Sequence, residues 1–68
     1  MIYFEAEFDN GGSICCRGKR LPTIAEANIF CAADVKINGE VVSVVEISAE
    51  EANLFFDTDN IDAWPIFK

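Results

Sequence analysis

The sequence predicts an α+β domain, a two-layer sandwich with element order ββαββα, in which a four-stranded antiparallel sheet carries both helices on one face. Three observations support this prediction. Residues 1–8 alternate between apolar and polar side chains, as in a half-buried strand. Residues 23–34 and 48–59 are similar in register, and each segment opens with a capping box. Asn38-Gly39 lies between two apolar runs, which is a hairpin signal.

The first two strands, residues 1–8 and 13–21, are predicted to form a hairpin. A three-residue loop at Asn10-Gly11-Gly12 suits this connection, because a glycine is available for the left-handed bulge position. This loop places core residues opposite one another, with Phe8 beside Ile14. On the outer face it pairs Glu5 with Arg17 and Tyr3 with Lys19, and it leaves Glu7 beside Cys15.

The first helix is predicted to begin after Thr23, which follows the strand-ending Pro22, and to continue to Ala33. Its core side consists of Ile24, Ala27, Phe30 and Cys31. Its back is also apolar, with Ala25, Ile29 and Ala32. A helix that is apolar nearly all round is usually buried on two sides. We therefore expect a second covering from the other helix, from the C-terminal tail or from another molecule.

The second half of the chain is predicted to repeat the pattern. Residues 35–37 and 40–47 form a hairpin across Asn38-Gly39, and its second arm is the central strand because valines occupy both of its faces. Ser48 caps a helix to about residue 56, in which Leu54 takes the same back position as Ile29. Residues 1–33 and 34–57 would then be two ββα units of one domain, related by internal duplication. The alternative is that two capping boxes impose the same residues on unrelated helices.

The last segment, residues 58–68, begins as a turn-rich loop and ends in apolar side chains. We expect Trp64, Ile66 and Phe67 to pack back on the domain, with Pro65 in an edge strand where no backbone donor is needed. A tail that binds a partner is the alternative, since exposed aromatic residues often mark interaction sites.

Composition restricts the classes of partner. Twelve acidic against five basic residues give a net charge of −7, which disfavours direct binding to nucleic acid or to anionic membranes. The acidity serves solubility, or it provides an acidic face for a basic protein. No stretch resembles a signal peptide or a membrane span, so a cytoplasmic location is expected.

The residues that usually carry chemistry are scarce. The chain has no histidine and three cysteines without a CxxC motif, so we expect no catalytic residue, no enzyme activity, no cofactor and no structural metal. The segment from Asp57 to Asp62 is rich in carboxylates. It lacks the glycine and the closing glutamate of a calcium loop, and whether it holds a cation stays open.

Cys15 is the candidate reactive thiol. The predicted hairpin exposes it on the outer face beside Arg17, which would lower its pKa, although Glu7 would act in the opposite direction. A thiol-dependent or small-ligand-binding protein centred on Cys15 is therefore one alternative function.

The main functional prediction is a non-enzymatic protein-interaction or regulatory module. It would bind through its outer sheet face or through the backs of its helices. The candidate interface residues are Tyr3, Arg17, Lys19, Ile29, Leu54 and Trp64. Two alternatives remain. One is an acidic decoy that occupies a basic nucleic-acid-binding surface, with Asp57, Asp59 and Asp62 on its contact face. The other is a homodimer that buries the first helix.

Overall fold

A computed structural model of the protein describes residues 1–55 and 63–68, and the side chains of residues 1–52 and 63–68. Within these residues, a four-stranded sheet with the order β3-β1-β2-β4 is combined with three short α-helices. β1 is antiparallel to β2 and β3, whereas β4 is parallel to β2. The predicted α+β class is confirmed, but the sheet is mixed and not wholly antiparallel. The elements are β1 Ile2–Phe8, β2 Ser13–Gly18, α1 Ile24–Phe30, α2 Ala32–Asn38, β3 Val41–Ile47, α3 Ala49–Phe55 and β4 Ile66–Phe67.

The β1–β2 hairpin turns through residues 9–11. The Phe8 N–H donates to the Gly12 oxygen at 2.8 Å, and the Gly11 N–H donates to the Phe8 oxygen at 3.0 Å. Gly11 has φ of 89°, the left-handed conformation of the bulge position. The Asn10 side chain accepts from the Gly12 N–H at 2.8 Å and stabilises the turn. The loop has the predicted length but starts one residue earlier.

This displacement changes the strand register by two residues. Phe4 pairs with Cys16, and Glu5 pairs with Cys15 in place of Arg17. A shift of two residues keeps every side chain on its predicted face, because side chains alternate with a period of two. Phe4 and Cys16 are therefore fully buried, as the alternation predicts.

The predicted hairpin at Asn38-Gly39 is wrong, because residues 32–38 form α2. Gly39 has φ of 88°, and its N–H donates to the Val35 oxygen at 2.9 Å, so this glycine ends a helix. Asn-Gly suits both a type I′ turn and a helix C-terminus, since both need a positive φ. The second ββα unit therefore does not exist, and the order ββαββα is incorrect.

The interior strands are β1 and β2, and β3 is an edge strand. The prediction that β3 is central is therefore wrong. The segment predicted to pair with its other side forms α2 instead, so among the described residues β3 pairs with β1 alone. Two of its valines are accordingly about half exposed, Val42 at 52% and Val45 at 46%.

The two crossover connections run in opposite directions along the sheet. Helices α1 and α2 connect β2 to β3, and α3 begins the return from β3 to β4 on the far edge. The right-handed rule for such crossovers predicts that the two connections lie on opposite faces. Burial agrees with this arrangement. Ala27 of α1 packs with Ala6, whereas Ile47, which pairs with Tyr3 on the other face, is only 8% exposed. Contacts place α1 on the Ala6 face of the sheet, whereas the face that α3 covers stays a prediction.

Both predicted capping boxes are present. The Thr23 hydroxyl accepts from the Glu26 N–H at 3.1 Å, and the Glu26 carboxylate accepts from the Thr23 N–H at 2.9 Å. Ser48 and Glu51 make the same pair of bonds at 3.0 and 3.4 Å. The elements that precede the two helices differ, so the observed similarity is confined to the helices and their caps.

The end of the chain forms the predicted edge strand. Pro65 lies just before β4, and its carbonyl accepts from the Arg17 N–H at 3.0 Å. The ring of Phe67 meets that of Phe30 edge-on, with centroids 5.6 Å apart. Trp64 and Phe67 therefore pack on their own domain as predicted, whereas Ile66 is 40% exposed.

Asn28 connects α1 to the edge strand β3. Its side-chain oxygen accepts from the Val41 N–H at 2.8 Å. Its amide nitrogen donates to the Val41 oxygen at 3.3 Å and to the Ile24 oxygen at 3.0 Å. One side chain thus satisfies both backbone groups of a strand residue, which explains an asparagine in the middle of a helix.

Replacing this amide tests its contribution. We expect Asn28→Ala to lower the free energy of unfolding by about 1–3 kcal/mol, because both backbone groups of Val41 lose their partner. Chemical denaturation measures the change. The exposed Lys36→Ala change on α2 is the control and should stay within about 0.5 kcal/mol. Equal effects of the two changes would contradict the assigned role of Asn28.

Candidate functional site

Three of the predicted interface residues pack against one another on the outer face of the sheet. The rings of Tyr3 and Trp64 meet edge-on, with centroids 5.9 Å apart and planes at 84°. The Arg17 side chain donates through Nε to the Trp64 oxygen at 3.1 Å. All three residues are half-buried. The pairing of β4 with β2 brings them together, so they stabilise the position of the tail.

The other three predicted residues lie apart. Lys19 is exposed just after β2, and Ile29 of α1 is 79% exposed. The side chain of Leu54 lies outside the described part of the chain.

Residues 1–52 and 63–68 do not provide the second covering expected for the back of α1. Ala25 and Ile29 are exposed one helical turn apart on α1, and Ala33 and Ile37 repeat this spacing on α2. Ile37 is 81% exposed. We call these four residues the exposed helix surface. Sequence reasoning missed Ile37 because it assigned that position to a strand.

A cavity of about 550 Å³ lies where β4 meets the end of β2. Three of the five basic residues of the chain contribute to it, although the chain as a whole is acidic. We call it the Phe67 cavity. It is lined by Met1, Lys19, Arg20, Ile66, Phe67 and Lys68.

The wall of the Phe67 cavity is held in place by aromatic and ionic contacts. The Arg20 guanidinium lies 5.0 Å from the centroid of the Phe67 ring. The same guanidinium binds both carboxylate oxygens of Glu26, at 2.9 and 2.6 Å. These bonds, and the bond from the Thr23 backbone, lower the pKa of Glu26 to about 2. A shallower depression of about 340 Å³ on the other side of Phe67 reaches Ile29.

Cys15 is half-buried in β2, opposite Glu5. Burial, and then the negative charge of Glu5, raise its pKa above the ordinary value. The predicted lowering by Arg17 is therefore wrong. The two-residue difference in register places Glu5 across the strand, and the Arg17 side chain binds the Trp64 carbonyl.

The other two cysteines lie in the core, as predicted. Cys16 and Cys31 are 0% and 3% exposed, and their thiols form a hydrogen bond with each other. Burial and the neighbouring thiol raise the pKa of Cys16 to about 12. All three cysteines are free thiols.

The described residues contain no group of three or more side chains that could bind a metal ion. The segment from Asp57 to Asp62, considered above for cation binding, lies outside them. Within residues 1–55 and 63–68, every helix is too short or too polar to cross a membrane. Comparisons with protein-family models, with curated proteins and with solved structures found no match to this chain.

The environment of Cys15 predicts slow alkylation. Iodoacetamide reacts with the thiolate, so a raised pKa keeps the rate at pH 7 low. We expect Glu5→Gln to increase the rate severalfold but less than about tenfold, because burial remains the larger cause. Mass spectrometry of the adduct measures the rate.

Glu7→Gln is the matched control, since Glu7 pairs with Ser13 and not with Cys15. The account of the Cys15 environment fails if the control accelerates alkylation as much as Glu5→Gln does. It also fails if the unmodified protein reacts as fast as a free cysteine.

Proposed function

We propose that this protein is a non-enzymatic interaction module that binds another protein through the exposed helix surface. The observation that carries the proposal is the exposure of Ile29, at 79%, on a helix whose opposite side is buried. Ile37 adds a second isoleucine at 81% exposure on the next helix. Apolar side chains grouped on neighbouring helical turns are typical of protein-binding surfaces.

The alanines of this surface favour a helical or flat partner. Ala25 and Ala33 are small, so a partner backbone can approach closely while the two isoleucines supply the apolar contact area. The core residue Ala27 packs on the other side of α1, against Ala6. The helix is therefore anchored by the domain and does not depend on the partner for its position.

Charge favours a basic partner over a second copy of the chain. The net charge of −7 attracts a positively charged protein and opposes self-association through like-charge repulsion. The proposal includes a cytoplasmic location, where such a module would meet its partner. If the protein instead forms a homodimer through the exposed helix surface, a second copy of the chain takes the place of the basic partner.

The two alternative functions have weaker support. The raised pKa of Cys15 weighs against a reactive thiol at neutral pH. The acidic-decoy hypothesis depends on Asp57, Asp59 and Asp62, which lie outside the described residues. A decoy would be held mainly by charge and would lose its target at high salt, whereas an apolar contact persists.

Substitution of the two isoleucines tests the proposal. The tagged protein is used to capture partners from the source cells, and the affinity of the captured protein is then measured with purified components. We expect a basic partner whose dissociation constant rises about 10- to 100-fold for Ile29→Gln or Ile37→Gln, because burying isoleucine contributes about 1.5–3 kcal/mol.

Val45→Gln is the matched control, since Val45 is 46% exposed on the edge strand. It makes the same kind of apolar-to-amide change away from α1 and α2. A comparable loss of affinity for Val45→Gln would contradict the proposed surface. Sedimentation of the free protein supplies the other test, and a stable dimer dissociated by Ile29→Gln would replace the basic partner with a second copy.

A further inference from the structure

We propose that the Phe67 cavity is a binding site for a small organic anion, a carboxylate or phosphate attached to an apolar body. This site is separate from the exposed helix surface and does not depend on the proposed protein interaction. Its volume of about 550 Å³ is within the usual range for small-molecule sites.

The lining of the cavity combines an apolar wall with a basic rim. Met1, Ile66 and Phe67 supply the apolar part, and Ile66 is 40% exposed. Lys19 and Lys68 supply ammonium groups. An apolar lining with a few charged groups is the composition that binds and orients a small ligand.

The three basic side chains of the rim differ in whether they can pair with a bound anion. Arg20 is bound through both of its terminal nitrogens to Glu26 and lies against the Phe67 ring, so it fixes the wall. Lys19 and Lys68 make no ion pair with any residue that the structure describes. These two lysines are therefore the groups that can neutralise a bound anion.

The orientation of Phe67 suits a flat apolar body. Phe30 contacts its ring edge-on at 79°, and Arg20 lies over the ring from another direction. An aromatic ligand can pack against the part of the ring that stays exposed, while its acidic group reaches a lysine at the rim. Lys19 and Lys68 then bind the acidic group of the ligand, and the apolar wall of the cavity binds its apolar part.

Four probes of the same shape test this assignment. They are 2-naphthoate, 2-naphthyl phosphate, the neutral 2-naphthylmethanol and the cationic 2-naphthylmethylamine. Binding is followed by amide chemical shifts in NMR and quantified by titration calorimetry. We expect at least one of the two anions to shift residues 19, 20 and 66–68, and to bind at least about tenfold more tightly than the alcohol or the amine. The stronger of the two anions identifies the preferred acidic group.

Lysine substitutions provide the matched controls. Lys19→Gln and Lys68→Gln should each weaken anion binding about two- to fivefold, and the double change about tenfold, as for exposed charge pairs. Lys36→Gln, on α2 and outside the cavity, should leave binding unchanged. Equal binding of the alcohol, an equal loss with Lys36→Gln, or no binding up to the solubility limit of the anions would each overturn the proposal. Ile37→Gln should retain ligand binding, which separates this test from that of the protein interaction.

Discussion

The position of β1 between β2 and β3 is the constraint on which the rest of the structure depends. Its side chains alternate between the two faces of the sheet. Phe4 and Ala6 are buried on the face that α1 covers, and Tyr3 contacts Trp64 on the other face. The chain therefore crosses the sheet once in each direction after β2, and the right-handed rule predicts that these two connections lie on opposite faces. A domain of this size buries a limited fraction of its surface. The sides of α1 and α2 that face away from the sheet are accordingly exposed.

The same topology separates the charges of the chain. β4 adds to β2 on the edge remote from β3, and this brings Lys68 beside Lys19 and Arg20. Three of the five basic residues thus lie together at one edge of a protein whose net charge is −7. The exposed helix surface belongs to α1 and α2, whereas the Phe67 cavity lies where β4 meets the end of β2, so the two proposed interactions involve different residues.

Local patterns in the sequence predict much of the fold. The alternation in residues 1–8, the two capping boxes and the apolar tail with Pro65 correspond to β1, to the starts of α1 and α3, and to β4. Each of these signals lies in residues that are neighbours in the sequence, although β1 and β4 also need distant strands as pairing partners. The faces of Cys16 and Cys31 were predictable for the same reason.

The Asn38-Gly39 signal failed because a positive φ ends α2 as readily as it forms a hairpin turn. The central position of β1 and the Phe67 cavity depend on strand pairing between distant segments, which no local pattern contains. Of the predicted interface residues, Ile29 was identified from helical periodicity, whereas Tyr3, Arg17 and Trp64 are engaged with one another.

The central claim is that the uncovered side of α1 and α2 meets a basic protein. Photo-crosslinking in the source cells tests it most directly, with p-benzoylphenylalanine placed at position 29, at position 37 or at the control position 45. The account predicts an adduct with the same basic protein from positions 29 and 37 and none from position 45, because only the first two lie on the exposed helix surface. The absence of an adduct at positions 29 and 37, an equal yield at position 45, or adducts with a second copy alone would contradict it.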